Sequence, residues 1–165
     1  MAYATTTEVP VERSKSQIEA LLTKYGAEGY HTGWQAATAD DPGWDAVEFL
    51  WKGKMIRFRV PRPSPKKPDG KLQPWASDRY GWKLNDAKLQ KATEQQNRSR
   101  WRVLFLVIKA KLEAVEAGVS IFEDEFLSFI VTNSGRTVGE ILLPRLAAGG
   151  QLQLEAARDD AHEAR

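Results

Sequence analysis

The chain has no cysteine. That removes disulfides, thiolate metal sites and cysteine nucleophiles together. It has only two histidines, His31 and His162, and they form no H-E-x-x-H or similar spacing. A histidine-based metal centre is therefore not encoded, and no metal or cofactor is expected. Phosphate-cradling G-x-x-x-x-G-K-[ST] and G-x-G-x-x-G patterns are absent, as is a G-x-S-x-G elbow. These absences leave nucleotide hydrolysis, dinucleotide chemistry and serine hydrolysis without a motif. The longest apolar run, Val103 to Ile108, is far short of the roughly 20 residues that cross a bilayer, so no membrane association is expected. The N-terminus lacks a basic segment followed by an apolar one, so it does not read as a secretory signal.

What is present begins with length and charge. At 165 residues the chain can form one self-sufficient domain. Its net charge of +2 conceals segregation. Residues 1–51 carry a balance of −5, residues 52–102 a balance of +11 and residues 103–165 a balance of −4. The basic middle suits a polyanion, and the alternative is that it pairs with its acidic flanks on folding.

The local patterns predict an α+β fold in one domain. Residues 1–13 lack periodicity and read as a flexible arm. A helix with Ile18, Leu21, Leu22 and Tyr25 on one face follows, opened by a Ser14–Gln17 capping box and stopped by Gly26. Three strands are expected at 30–36, 45–51 and 55–60, forming an antiparallel meander with a tight Lys52-Gly53-Lys54 hairpin. Two-residue alternation places Ile56, Phe58 and Val60 on one face and Arg57 and Arg59 on the other.

Residues 61–84 read as a long basic loop. Pro61, Pro63, Pro65 and Pro68 exclude regular structure at its start, and Trp75, Tyr80 and Trp82 lie among lysines and arginines. A long buried helix of about 32 residues follows, capped by Asn85 or Asp86 and ended by Gly118, with a length near 48 Å at ~1.5 Å per residue. Its apolar half, Val103 to Ile108 above all, should be covered on nearly every side. Short C-terminal helices are expected from capping-box patterns at Ser120–Glu123 and Thr137–Glu140, with Pro144 ending or kinking the last. Residues 129–138 read either as helix and turn or as a hairpin. The single domain spans 14–147, and 148–165 form a polar tail.

The segments R-W-R-V-L-F-L-V-I-K-A-K-L-E-A-V-E-A-G-V-S-I-F-E-D-E-F-L at Arg100 to Leu127 and G-R-T-V-G-E-I-L-L-P at Gly135 to Pro144 resemble small uncharacterised proteins encoded by bacteriophages and prophages. K-Y-G-A at Lys24 to Ala27 and I-R-F-R-V-P-R-P at Ile56 to Pro63 are similar too. The resemblance covers about half of the chain. It implies a phage protein in the cytoplasm of a bacterial host. It carries no activity or catalytic residues, so none transfer to this chain.

The residues leave two further classes of function open. Asp40, Asp41, Asp45 and Glu48 could hold Mg²⁺ for phosphodiester cleavage, and a helix followed by three strands resembles the start of the restriction-endonuclease-like fold. The Glu-x-Lys signature of that fold is missing, because Glu48 is followed by Phe-Leu-Trp-Lys52. A basic surface can also dock on an acidic host protein, as in counter-defence. Homo-oligomerisation through the polar half of the long helix is a further option.

The favoured expectation is a non-catalytic phage accessory protein that binds DNA or RNA through residues 52–102. The candidate contacts are Arg57, Arg59, Arg62, Lys66, Lys67, Lys71, Lys88, Lys91, Arg98, Arg100 and Arg102 for phosphates, with Trp75, Tyr80 and Trp82 for stacking.

Overall fold

The computed structural model describes residues 4, 6–39 and 41–148. The expected tail therefore lies, beyond Ala148, outside the described residues.

Helix α1 spans Val11–Lys24 and starts three residues before the expected capping box. Pro10 takes the N-cap position with φ −60°, which presets the helical entry. Ser14 thus falls inside the first turn and is buried rather than capping. Nor are the described residues of the arm detached: Ala4 is buried, and Gln95 Nε2 donates to Thr7 O at 2.9 Å.

Strands β1 (Gly29–Gln35), β2 (Trp44–Trp51) and β3 (Lys54–Pro61) form an antiparallel sheet in the order β1-β2-β3. The β2–β3 turn has positive φ at both Lys52 and Gly53, the hand that matches strand twist. Val47, Phe49 and Trp51 alternate along β2, and Ile56, Phe58 and Val60 along β3, all buried on one face.

Helix α2, Asp86–Glu116, is an unbroken 31-residue rod. Asn85 caps it by accepting from the Lys88 backbone N–H at 3.0 Å. It lays Trp101, Leu104, Ile108 and Leu112 on the sheet, beside Ile18 and Leu22 of α1. Each such fully buried side chain contributes roughly 1.5–3 kcal/mol. The opposite stripe is not covered as expected: Val103 and Val107 are 42% and 37% exposed. One sheet and one neighbouring helix shield only part of a helix's circumference.

Helix α3 is short, Phe122–Phe126, with Ile121 rather than Ser120 at its N-cap. Phe126 meets Phe49, Trp51 and Phe58 edge-on, with ring centroids 6.3, 5.5 and 6.3 Å away. Beyond a 3₁₀ turn at Leu127–Phe129, the chain bridges Ile130 to Ile56 and Val131 to Thr137. Of the two readings of 129–138, the short hairpin is the closer.

Helix α4, Val138–Ala147, has the full Thr137–Glu140 capping box and runs straight through Pro144. Proline cannot donate to the Glu140 carbonyl four residues back. Arg136 Nη2 does so instead, at 2.6 Å, which lets the helix continue.

Candidate nucleic-acid interface

The eleven basic candidates separate into groups with different partners. Arg57 and Arg59 share the outer face of the sheet, as alternation requires. Both are engaged there. Arg57 Nε donates to Glu48 Oε1 at 2.5 Å, and Nη1 donates to Gly135 O at 2.7 Å. Arg59 ion-pairs with Glu140 and lies over the Trp44 ring, 4.3 Å from its centroid. Both carboxylates come from the acidic flanks of the sequence.

Arg98 and Arg102 are turned toward α1 and the N-terminal arm. Arg98 donates through Nε and Nη2 to Gln95 Oε1, at 3.1 and 2.7 Å. Arg102 donates to Gln17 Oε1 at 2.8 Å and stacks over Phe105. Lys71 faces Asp69 at 3.8 Å, both well exposed, so little energy rests on that pair. Lys88 and Lys91 stand exposed on the first turns of α2.

The remaining four, Arg62, Lys66, Lys67 and Arg100, converge. They line a groove of about 620 Å³ between the β1–β2 loop, the proline-rich segment after β3 and α2. Among the described residues its lining holds these four cations and one carboxylate, Asp41. Arg100 donates to the Pro61 carbonyl, and burial pushes its guanidinium pKa below the ordinary value. Among the described residues, no ion pair involves Arg100, Lys66 or Lys67. A partly desolvated guanidinium beside two exposed ammonium groups favours an anion strongly.

The loop that carries the lysines is ordered by its own backbone. Lys67 N donates to Lys71 O at 2.8 Å, and Gln73 N donates to Pro65 O at 2.8 Å. A 3₁₀ turn at Pro74–Ala76 half-buries Trp75, which anchors the loop instead of offering a stacking face. Tyr80 and Trp82 are 70% and 74% exposed. Asp78 Oδ1 accepts from both their backbone N–H groups at 2.9 Å, which fixes the turn between them.

The opposite wall depends on Gly43. It has φ +79°, and a Cβ there would sit 2.6 Å from Gln35 O and 2.8 Å from Ala37 N. Its carbonyl accepts from Arg62 N at 2.9 Å. Gly43→Ala should therefore destabilise the fold by about 1–3 kcal/mol, read as a lower urea midpoint. An unchanged midpoint would show that this turn relaxes freely.

The acidic candidates are not brought together. Asp45 lies on the core side of β2 and Glu48 on the outer side, as odd and even positions must. Asp40 lies outside the described residues. Among the described residues no three His, Cys, Asp or Glu side chains are placed to hold a metal ion. No helix among them is long and apolar enough to cross a membrane.

Two residues that sequence reasoning passed over have a relation to Arg62 or to the hollow it shares. Trp34 shares a face with Tyr30 at the end of β1, yet it is 69% exposed, with the Arg62 guanidinium 5.6 Å from its ring centroid. Asn97 of α2 lines a second hollow beside the first, and its Oδ1 is buried without a hydrogen-bond partner. A tryptophan near the end of a short strand was the available signal for Trp34. Asn97 gave none.

No family model, curated protein or solved structure matches this chain.

Proposed function

We propose that this chain is a non-catalytic nucleic-acid-binding protein that seats a phosphate backbone in the groove of Arg62, Lys66, Lys67 and Arg100. The observation that carries this reading is the groove's lining: four cations against one carboxylate among the described residues, Arg62 paired with Asp45 at 2.9 Å, and Lys66, Lys67 and a partly desolvated Arg100 in no ion pair there. Phosphates supply the missing counter-charge, and released counterions drive the association. Arg57, Arg59, Arg98 and Arg102 stabilise the fold in this reading and do not touch the ligand. Lys71, Lys88 and Lys91 add long-range attraction. Resemblance to phage-encoded proteins is what supports a phage accessory role in a bacterial host.

The test is fluorescence anisotropy of a labelled oligonucleotide across a salt series. Log affinity should fall linearly with log salt, with a slope near −2 to −3 for three or four phosphate contacts. Absence of binding at low salt, or binding insensitive to salt, would overturn the reading.

A further inference from the structure

The turn at 78–82 follows the groove-lining Gln73 and is held by its own hydrogen bonds. Ser77 and Lys83 bridge as a short antiparallel pair, and Leu84 N donates to Ala76 O at 3.0 Å. Inside that pair Asp78 N donates to Trp82 O at 2.8 Å and Gly81 N donates to Asp78 O at 3.0 Å, with Gly81 at φ +84°. Asp78 Oδ1 accepts from the backbone N–H groups of Tyr80 and Trp82, so that oxygen is spent on the turn. Of the Phe, Tyr and Trp rings among the described residues, only Trp34, Tyr80 and Trp82 stand mainly in solvent, and two of the three fall on this turn. Trp75 already anchors the loop, so neither ring is needed for that. Arg79 holds its guanidinium 4.6 Å from the Tyr80 ring centroid. Among the described residues neither Arg79 nor Lys83 has an ion pair. Flat rings between unpaired cations suit a nucleobase on the π-face with phosphates beside it. An apolar protein patch would desolvate both cations, whereas phosphates pair with them.

We infer that the ligand is single-stranded nucleic acid, with its phosphates in the Arg62–Arg100 groove and its unpaired bases stacked on Trp82 and Tyr80 whatever their identity. This rests on the function proposed above and narrows it. Five residues of chain carry Gln73 to Asp78, at most about 18 Å, so a strand leaving the groove reaches the turn within a short footprint. Every base has a π-face, so stacking adds affinity without reading sequence. A duplex keeps its bases stacked on one another and offers the rings none. The pinned turn loses little freedom on binding, which leaves more of the stacking energy as affinity.

The experiment compares oligo-dT, an abasic sugar–phosphate strand and a mixed-sequence duplex on the full chain, each about 20 nucleotides long to exceed a typical footprint of ~4–16. Oligo-dT should bind roughly tenfold or more tighter than the abasic strand, which carries the same charge, and oligo-dC should match oligo-dT within about threefold. Trp82→Ala combined with Tyr80→Ala should weaken oligo-dT roughly thirtyfold. It should leave the abasic strand, the duplex and the urea midpoint unchanged, since both side chains stand in solvent. Trp82→Phe alone should keep most of the affinity, because a π-face remains. Rings that merely hold the loop would lower the midpoint and weaken all three probes alike, and that result overturns the inference. Should the double variant fail to fold, tryptophan emission decides the matter. Oligo-dT should then quench the wild-type chain more than Trp82→Phe, and the abasic strand should quench both equally; no difference with oligo-dT overturns the inference. Oligo-dT binding no tighter than the abasic strand, or untouched by the double variant, overturns it too and leaves the phosphate groove standing. No binding to any probe at low salt would overturn the proposed function itself.

Discussion

Phe126→Ala should lower the free energy of unfolding by about 3–5 kcal/mol. Phe126 has no solvent exposure and sits where three structural layers meet. Its ring touches Phe49 and Trp51 from β2 and Phe58 from β3, and it stacks on Phe122 of α3 at 5.4 Å. Lys111 of α2 places its ammonium 5.9 Å from the same ring and donates to Glu125 O at 2.8 Å. Truncation leaves a cavity that none of these rings can fill without losing its own contacts. Domains of this kind are stable by only about 5–15 kcal/mol, so the loss takes a large share of the total. Phe126→Leu keeps most of the volume but loses the edge-to-face contacts, and should cost about 1–2 kcal/mol. Urea denaturation followed by tryptophan fluorescence measures both. A loss below 1 kcal/mol for the alanine variant would mean that α3 is not integral to the core.

The second large effect is on binding. Replacing Lys66, Lys67 and Arg100 together by glutamine should reduce affinity for a single strand roughly a hundredfold at low salt. It should also flatten the salt slope by about 2, at ~0.7 per lost contact. Lys66 and Lys67 are exposed and in no ion pair among the described residues, so their loss leaves folding untouched. The informative contrast is Arg57→Gln with Arg59→Gln. These two removals take the arginine partners from Glu48 and Glu140, so they should cost stability and leave the slope alone. If instead the outer-face pair flattens the slope and the groove triple does not, the ligand sits on the other side of the sheet.

Much of the architecture was legible because it is encoded locally. Alternation in β2 and β3, the positive-φ hairpin, the Asn85 cap and the Gly118 stop each need only a few neighbouring residues to be read. Capping boxes were less dependable. Of Ser14, Ser120 and Thr137, only Thr137 caps. Pro10 had already capped α1 four residues upstream of Ser14, and α3 begins one residue late with Phe122 and Phe126 inside the aromatic cluster. Local hydrogen-bond preference, worth about 1 kcal/mol, yields to large side chains seeking burial. The fate of the arginines was not legible at all. Arg59 finds Glu140 and Arg102 finds Gln17, partners far away in the chain, and a charge count cannot distinguish a spent cation from an available one. The groove exists only because the β1–β2 loop, the proline-rich segment and α2 arrive at one place, so no stretch of sequence announces it.

Arg100 immediately precedes Trp101, whose indole is wholly buried against α1 and the sheet. The two halves of the groove are therefore exposed to mutational drift in unequal measure. Lys66 and Lys67 ride on a surface loop, where substitutions are nearly free of folding penalty. Position 100 is held to the same helix turn as the core's largest residue. A lineage carrying this fold can retune its affinity for a polyanion through the loop alone, a residue at a time, while the guanidinium stays anchored as a fixed point of reference.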